Sequence, residues 1–571
     1  MCGIYGITDN DTAFIENYLK ICKHRGPDGS NVWASDKVTL GHNLLSIMSD
    51  PDRSQQPWLT PKGNRLVYNG EIFNYNDLRE KYKNFHNTTD CDTELLAWGL
   101  DEYGIDFIDE IDSMHGFAYY DVSAQKIILS RDHAGIKPLF YAKIDKGLVF
   151  ASEIKGMLDI VPDARLLDNL ACSMLSKTGV NPLRNTLYTN IKKVLPGETI
   201  IYDVVSGTLD YAKRIYIRPN ADRDYSKSEL KKMFADAVKR SAIGKRKIGV
   251  FLSGGLDSSI IAYELNKIQD TVHTFTNRFE PAVQSDEDYN SDSKIASKFA
   301  KEQNFNHHDV VVSPSEYLSA WDDSIYYMEQ PNYNPSNPLY CFANRVLSEN
   351  NVIVTMAGDM GDELFGGYPK YSNLYNSEEK PTTWSELLTL WMKRVKKGSY
   401  PITDNPFDEN VLVDELAKCY GEELWNEADP TASYMALDCV AQVPEQFFTR
   451  NDYYGMAYSM EGRFPLASKI FMQYCLNIKS KYKFEGNDMK SLVKRTYSKE
   501  LPAYLLYKEK TGWTVPIGYW LIDEVDGKLN DVYDKVIGKE RLKQLKRSQK
   551  AGKGLLPQWQ VKNWKETYKI K

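Results

Sequence analysis

No histidine follows His308, although the chain continues to residue 571; all eight lie at or before that position. Chemistry in the remainder must run on carboxylates, lysine, phosphate-binding backbone and Mg²⁺ rather than on imidazole. Basic charge is also short. The 71 Lys and Arg face 78 Asp and Glu, a formal net charge of -7, whereas a dedicated nucleic-acid binder needs a basic face to neutralise phosphates. No run approaches the roughly 20 apolar residues that span a bilayer. Met1-Cys2-Gly3-Ile4-Tyr5-Gly6 has neither the basic start nor the apolar run of a secretory signal. The eight cysteines never form a C-x-x-C pair, which gives no zinc framework and no dense disulfide scaffold, and a reducing cytoplasm fits best. Repeats and low-complexity tracts are missing too.

What is present is ordinary for a soluble globular protein: 42% hydrophobic and 26% charged residues. The length exceeds a single hydrophobic core, so two large domains or three smaller ones are expected. The 38 tyrosines read as half-buried packing residues.

Over roughly the first 200 residues, short alternating runs such as Arg65-Leu66-Val67-Tyr68, Phe117-Ala118-Tyr119-Tyr120 and Lys126-Ile127-Ile128-Leu129 predict strands. Helical patterns lie between them, at Phe14 to Cys22 and Asp92 to Gly99, so strand layers flanked by helices are expected. Pro196-Gly197 precedes a last hairpin strand, and the polar stretch Tyr216 to Ser228 reads as a linker. The style then changes. A helix from Glu229 to about Ser241 precedes the compact strand Ile248-Gly249-Val250-Phe251-Leu252. Thr271 to Phe275 and Val352 to Met356 read as further buried strands separated by helices. That alternation predicts a parallel, doubly wound sheet. From about Pro381 the chain reads as mostly helical and aromatic. The domains expected are therefore 1–205 and 226–571.

Cys2 becomes the first residue if Met1 is removed, and a free α-amino group could then act as base for its own thiol. Alone, a cysteine is more often a buried structural residue. Its company is more specific. Cys2-Gly3-Ile4, His24-Arg25-Gly26-Pro27-Asp28, Tyr68-Asn69-Gly70-Glu71, Asp92-Thr93-Glu94 and Arg131-Asp132-His133 occur in this order. The series resembles the glutaminase domain of class II amidotransferases, an αββα N-terminal-nucleophile fold. The resemblance implies that Cys2 attacks the glutamine amide and that Asn69 and Gly70 form the oxyanion hole. One such donor is worth about 10²–10³ in rate. It also implies glutamine binding by Asn69, Gly70, Glu71, Asp92 and Arg25, with Asp92 on the α-amino group. The competing reading of Asn69-Gly70 is a hairpin turn.

In the second half, Ser253-Gly254-Gly255-Leu256-Asp257-Ser258-Ser259 follows a strand and opens a helix. Backbone N–H groups at such a turn suit pyrophosphate, and the run is not a Walker A loop. The bland alternative is an ordinary strand-to-helix turn. Ala357-Gly358-Asp359-Met360-Gly361-Asp362-Glu363 follows, then Arg450, Asp452, Glu461, Arg463, Lys490 and Lys494, and finally Lys508-Glu509-Lys510-Thr511-Gly512-Trp513. In sequence order these resemble the PP-loop synthetase domain of glutamine-hydrolysing asparagine synthetases. The resemblance spans the chain to about residue 520. It implies an α/β fold with a helical C-terminal part, the cofactors ATP and Mg²⁺, and aspartate as the carboxylate acceptor. ATP would be bound by Leu252, Ser253, Gly254, Gly255, Asp257, Ser258, Ala357 and Gly358. Metal would be held by Asp257 and Asp362, with Lys510 stabilising charge and Asp359 acting as base. A homodimer is what the family suggests.

Three departures stand out. Leu44 occupies the place of the arginine that would bind the glutamine α-carboxylate, and a leucine cannot make that contact. Arg53 or Arg25 would have to substitute, or free ammonia would be the practical donor. Ala357-Gly358-Asp359-Met360 replaces the usual Ser-Gly-Glu-Gly, so the base is one methylene shorter. Tyr453 and Leu466 replace an arginine and a phenylalanine. Three readings therefore compete: an asparagine synthetase, a sister enzyme amidating another carboxylate such as a uronic acid, and a non-catalytic nucleotide-binding relative. Cys2 argues against the β-lactam-forming branch, which generally lacks the nucleophile.

Overall fold

The computed structural model describes residues 2–145, 147–280, 288–331, 334–393, 401–484, 488–508, 515–516 and 560–571. Two six-stranded sheets form the N-terminal part. In the first, the central strand Cys2–Ile7 lies antiparallel between Thr39–Leu44 and Gly147–Ala151. Its side chains alternate as the pleat demands. Tyr5 and Ile7 pack with Ile15, Tyr18 and Leu19 of the helix Thr12–Ile21. Ile4 packs the other way, with Leu40 and with Val67 of the second sheet. In that second sheet, Arg65–Ile72 pairs with Ser113–Asp121, and Leu66 and Tyr68 face Leu95 and Leu96 of the helix Asp92–Tyr103. The layers are thus helix, sheet, sheet, helix, as expected.

The second part is built on a five-stranded parallel sheet. Its order is Asn306–Val312, His273–Phe279, Ile248–Phe251, Val354–Met356, Glu461–Arg463. Val250 packs with Phe234 and Ile260 from the helices Lys227–Ser241 and Leu256–Leu265. Phe275 packs with Phe342 and Leu347 of the helix Asn337–Glu349 on the opposite face. Helices on both faces of a parallel sheet are the doubly wound arrangement, and a helical region follows it. Among the described residues, no helix is long and apolar enough to cross a membrane.

Two details go beyond the sequence reading. The second sheet continues past residue 205, because Leu209–Arg214 pairs with Glu198–Asp203 as its edge strand. The polar stretch read as a linker is tied down: Arg223 N–H donates to the Asn477 carbonyl (2.8 Å), and Lys479 N–H donates to the Arg223 carbonyl (3.0 Å).

Candidate active sites

Cys2 starts its strand directly opposite Leu44, where the first sheet abuts the strand carrying Asn69, Gly70 and Glu71. The backbone N–H of Cys2 donates to Asn69 Oδ1 at 2.9 Å. With its oxygen so engaged, the buried Asn69 amide nitrogen has no partner among the described residues. It is a buried donor held next to the Cys2 backbone, of the kind that can receive an oxyanion. Asn69 and Gly70 lie within Arg65–Ile72, paired with Gly116 and His115, so they are not a hairpin turn. Gly70 is glycine because a Cβ there would collide with the Met114 carbonyl and approach the Tyr68 ring. Burial pushes the Cys2 thiol up from its ordinary value.

A small cavity opens on Cys2, walled by Leu44, Gly70, Glu71, Asp92 and Gln56 among others. Asp92 opens its helix. Its Oδ2 accepts from the Tyr68 hydroxyl (3.1 Å) and from the Ile72 N–H (3.0 Å). Burial nevertheless raises its pKa to about 6. Burial and the neighbouring Asp92 also hold Glu71 well above the usual range, against the pull of Arg463. Neither arginine suggested in place of Leu44 lines this cavity. Arg25 is fully buried, its guanidinium donating to the Cys2 carbonyl (3.1 Å), Glu153 (3.0 Å) and Asp452 (2.8 Å). It thus braces the Cys2 backbone and does not line the cavity. Arg53 is exposed and donates to the Thr88 carbonyl.

The second site lies where the strand Ile248–Phe251 turns into the helix Leu256–Leu265. Leu252 is fully buried beneath the turn. Gly254 adopts φ +69°, and a Cβ there would strike the Asp292 carbonyl. The Ser258 hydroxyl accepts from Ser253 N–H (3.1 Å) and meets Ser253 Oγ (3.0 Å), which folds the loop over the helix N-terminus. Ala357 and Gly358 bring the loop after Val354–Met356 against it. A Cβ on Gly358 would lie 2.8 Å from Asp257 Cβ and 2.9 Å from Ser258 N. Ser253 N–H is turned to Ser258 Oγ and Gly255 N–H to Ser253 Oγ (3.3 Å), and a glycine-bearing turn at a helix N-terminus is a kind of place where phosphate can bind.

Asp257 and Asp362, from two different helices, converge on the ammonium of Lys490, which lies 2.7 Å from Asp362 Oδ1 and in close contact with Asp257 Oδ2. Two carboxylates that share one cation suit Mg²⁺, whose other positions are commonly filled by water and phosphate oxygens. Asp359 has its own partners, with Asn451 Nδ2 at 3.3 Å from Oδ2 and Arg450 at 3.9 Å from Oδ1. Burial raises its pKa, as suits a group that exchanges a proton. The preceding resemblance also singled out Lys510, which lies outside the described residues.

Arg463 is one connection between the two sites. Arg463 Nη2 contacts Glu71 Oε2 at 3.2 Å, while its backbone carbonyl accepts from Ala357 N–H at 3.2 Å. Sequence reasoning marked Arg463 and Glu461 as landmarks without roles. It missed the buried charge cluster of Glu153, Lys155 and Glu329, for which charges at positions that fold into the core were the only signal.

Comparison with known proteins gives two family matches. A family described as asparagine synthase matches residues 229–566, and one described as a glutamine amidotransferase domain matches residues 1–212. Asparagine synthetase [glutamine-hydrolyzing] 1 of Bacillus subtilis is 26% identical over 92% of this chain and 89% of its own length. Asparagine synthetase [glutamine-hydrolyzing] 3 of the same organism is 25% identical over 90% and 86%. Asparagine synthetase B of Escherichia coli is 26% identical over 92% and 84%.

Proposed function

Because the chain belongs to the asparagine synthase family, with a glutamine amidotransferase domain at its N-terminus, we propose that it makes asparagine from aspartate, glutamine and ATP. The observation that carries this reading is that one chain holds both halves of the chemistry. Cys2 has an unpaired amide donor beside it, and a glycine-bearing loop has two carboxylates converging on one cation.

In the first half-reaction the Cys2 thiolate attacks the glutamine amide carbon. Asn69 and Gly70 N–H groups receive the developing oxyanion, ammonia leaves, and water hydrolyses the thioester. In the second, an acceptor carboxylate oxygen attacks the α-phosphorus of ATP, held by the Ser253–Ser258 loop, and pyrophosphate leaves. Mg²⁺ bound by Asp257 and Asp362 would supply neutralisation of phosphate charge. Ammonia then attacks the acyl-AMP, Asp359 takes the surplus proton, and AMP departs.

A second reading rests on Asp359. Its carboxylate is one methylene shorter than the usual glutamate and is backed by the buried Met360, held at φ +81°. A shorter base with a bulky neighbour favours an acceptor other than aspartate, such as a uronic acid. A reaction with ATP, Mg²⁺, aspartate and amide-¹⁵N glutamine, followed by mass spectrometry, separates the two. Labelled asparagine with matching AMP is expected. Glutamate without asparagine or AMP would move the assignment to another acceptor.

The pH dependence follows from Asp92. Only its ionised form attracts the glutamine ammonium group, and that form is lost as pH falls through about 6. The kcat/KM for glutamine should therefore fall about tenfold per pH unit below that point. Glutamate release between pH 4.5 and 8 measures it, and Asp92→Asn should lose the step near pH 6. An unchanged step in that variant would free Asp92 of the role.

A further inference from the structure

Lys490 occupies an unusual position for a lysine. It takes a left-handed backbone conformation, φ +57°, at the start of the helix Ser491–Thr496. Its side chain is only 12% exposed and reaches two carboxylates that are themselves mostly covered. The packing around the three groups leaves little slack. A Cβ on Gly367 would collide with both Asp362 Oδ1 and Lys490 Cε, and one on Gly361 would lie 2.5 Å from the Asp257 carboxyl carbon. The glycines thus let two backbone turns close around an ion triad.

These are the carboxylates that the proposed function assigns to Mg²⁺, and the inference rests on that reading. A Mg²⁺ ion binds carboxylate oxygens at about 2.1 Å. An ammonium nitrogen 2.7 Å from Asp362 Oδ1, in hydrogen-bonding contact with Asp257 as well, claims the same lone pairs and the same space. Cation and ammonium are therefore alternatives. A lysine so buried can leave two carboxylates only if it gains other anions, and a nucleotide polyphosphate provides them.

We propose that the Lys490 ammonium is a built-in competitor for the divalent-cation site, so that the metal enters only with nucleotide, which draws Lys490 from Asp257 and Asp362 onto its phosphates. The lysine offsets one of the two carboxylate charges and leaves a surplus of one, which favours a divalent cation. The metal offsets both, while the displaced ammonium faces the polyphosphate. Free divalent cation cannot occupy the site in a form that blocks nucleotide.

The test is Mn²⁺ binding to the full chain, followed by electron paramagnetic resonance, with and without α,β-methylene-ATP. Wild type should bind Mn²⁺ weakly alone and at least tenfold more tightly with the nucleotide. Lys490→Met, close in size and uncharged, should bind Mn²⁺ at least tenfold more tightly than wild type without nucleotide. Adding Asp257→Asn to that variant should erase the gain, which locates the site. Lys490→Gln gives a second neutral side chain should the methionine variant fold poorly. Equal nucleotide-free affinity in wild type and both neutral variants would overturn the proposal, as would a gain that survives Asp257→Asn. Loss of Mn²⁺ binding in every protein even with nucleotide would overturn the metal assignment to this pair, and the proposal with it. Failure of wild type to bind the analogue at all would instead strike the ATP reading.

Discussion

Replacing Cys2 with alanine is expected to reduce glutamate release from glutamine by roughly 10⁴–10⁶-fold, the scale on which removal of a covalent nucleophile acts. Ammonium-dependent AMP release should remain within about threefold of wild type. The asymmetry follows from where Cys2 sits. Its thiol opens on the cavity walled by Asp92 and Glu71, and its backbone N–H and carbonyl are held by Asn69 and Arg25. Those backbone contacts survive the substitution, so the strand Cys2–Ile7 and the brace from Arg25 to Asp452 stay in place. Only the thiol, the proposed nucleophile, is lost. Parallel assays of glutamate, with glutamine as donor, and of AMP, with ammonium chloride as donor, make the comparison. Equal loss of both activities would show that Cys2 supports the structure between the sites and does not attack the amide. The assay also bears on Leu44. Among the described residues the cavity walls include two acids and no lysine or arginine, so wild type should prefer ammonium over glutamine more strongly than an enzyme with a cationic wall.

Both layers of the fold were legible because the chain uses its two periods cleanly. Strands such as Arg65–Ile72 alternate faces between two sheets and a helix, and Ile248–Phe251 is apolar throughout because helices cover both its faces. The strands that sequence missed break those rules. Asn306–Val312 is the edge strand of the parallel sheet, and half-exposed His307 and His308 mask its pattern. Glu461-Gly462-Arg463 is a fully buried strand two-thirds of whose residues are charged. It is tolerable only because Arg463 pairs with Glu461 and with Glu71 from the other half of the chain. No local rule anticipates a partner 392 residues away. The same limit applies to the sites. Motifs brought together Cys2, Asn69 and Gly70, and likewise Asp257 and Asp362, since each set is carried by a few adjacent elements. Arg25 could not be read correctly from its motif, because its role is fixed by Glu153 and Asp452, which fold around it from distant segments.

Asp257→Ala should lower AMP formation by about 10²–10⁴-fold with either nitrogen donor, as expected when several kcal/mol of phosphate-charge stabilisation is lost. Asp257 is the first acid of the helix Leu256–Leu265, placed so that its carboxylate meets the Lys490 ammonium alongside Asp362. Alanine keeps the helix, since it is a good helix former. It also relieves the close packing against Gly361 and Gly358, so folding should be little disturbed. What remains is Asp362 alone opposite Lys490, a neutral pair with no surplus negative charge to attract a divalent cation. The cation and the phosphates it neutralises then lose their fixed position relative to the Ser253–Ser258 loop. The glutamine half-reaction uses none of these groups, so glutamate release without ATP should be unchanged, and this separates a chemical defect from a folding one. Quenched-flow or coupled measurement of AMP, with the acceptor identified by ¹⁵N labelling, reads the effect. AMP release within about threefold of wild type would remove Asp257 from the metal site and leave the Lys490 ion pair as a structural clamp. A deep loss with both donors, beside intact glutaminase, is the result that a two-carboxylate cation site requires.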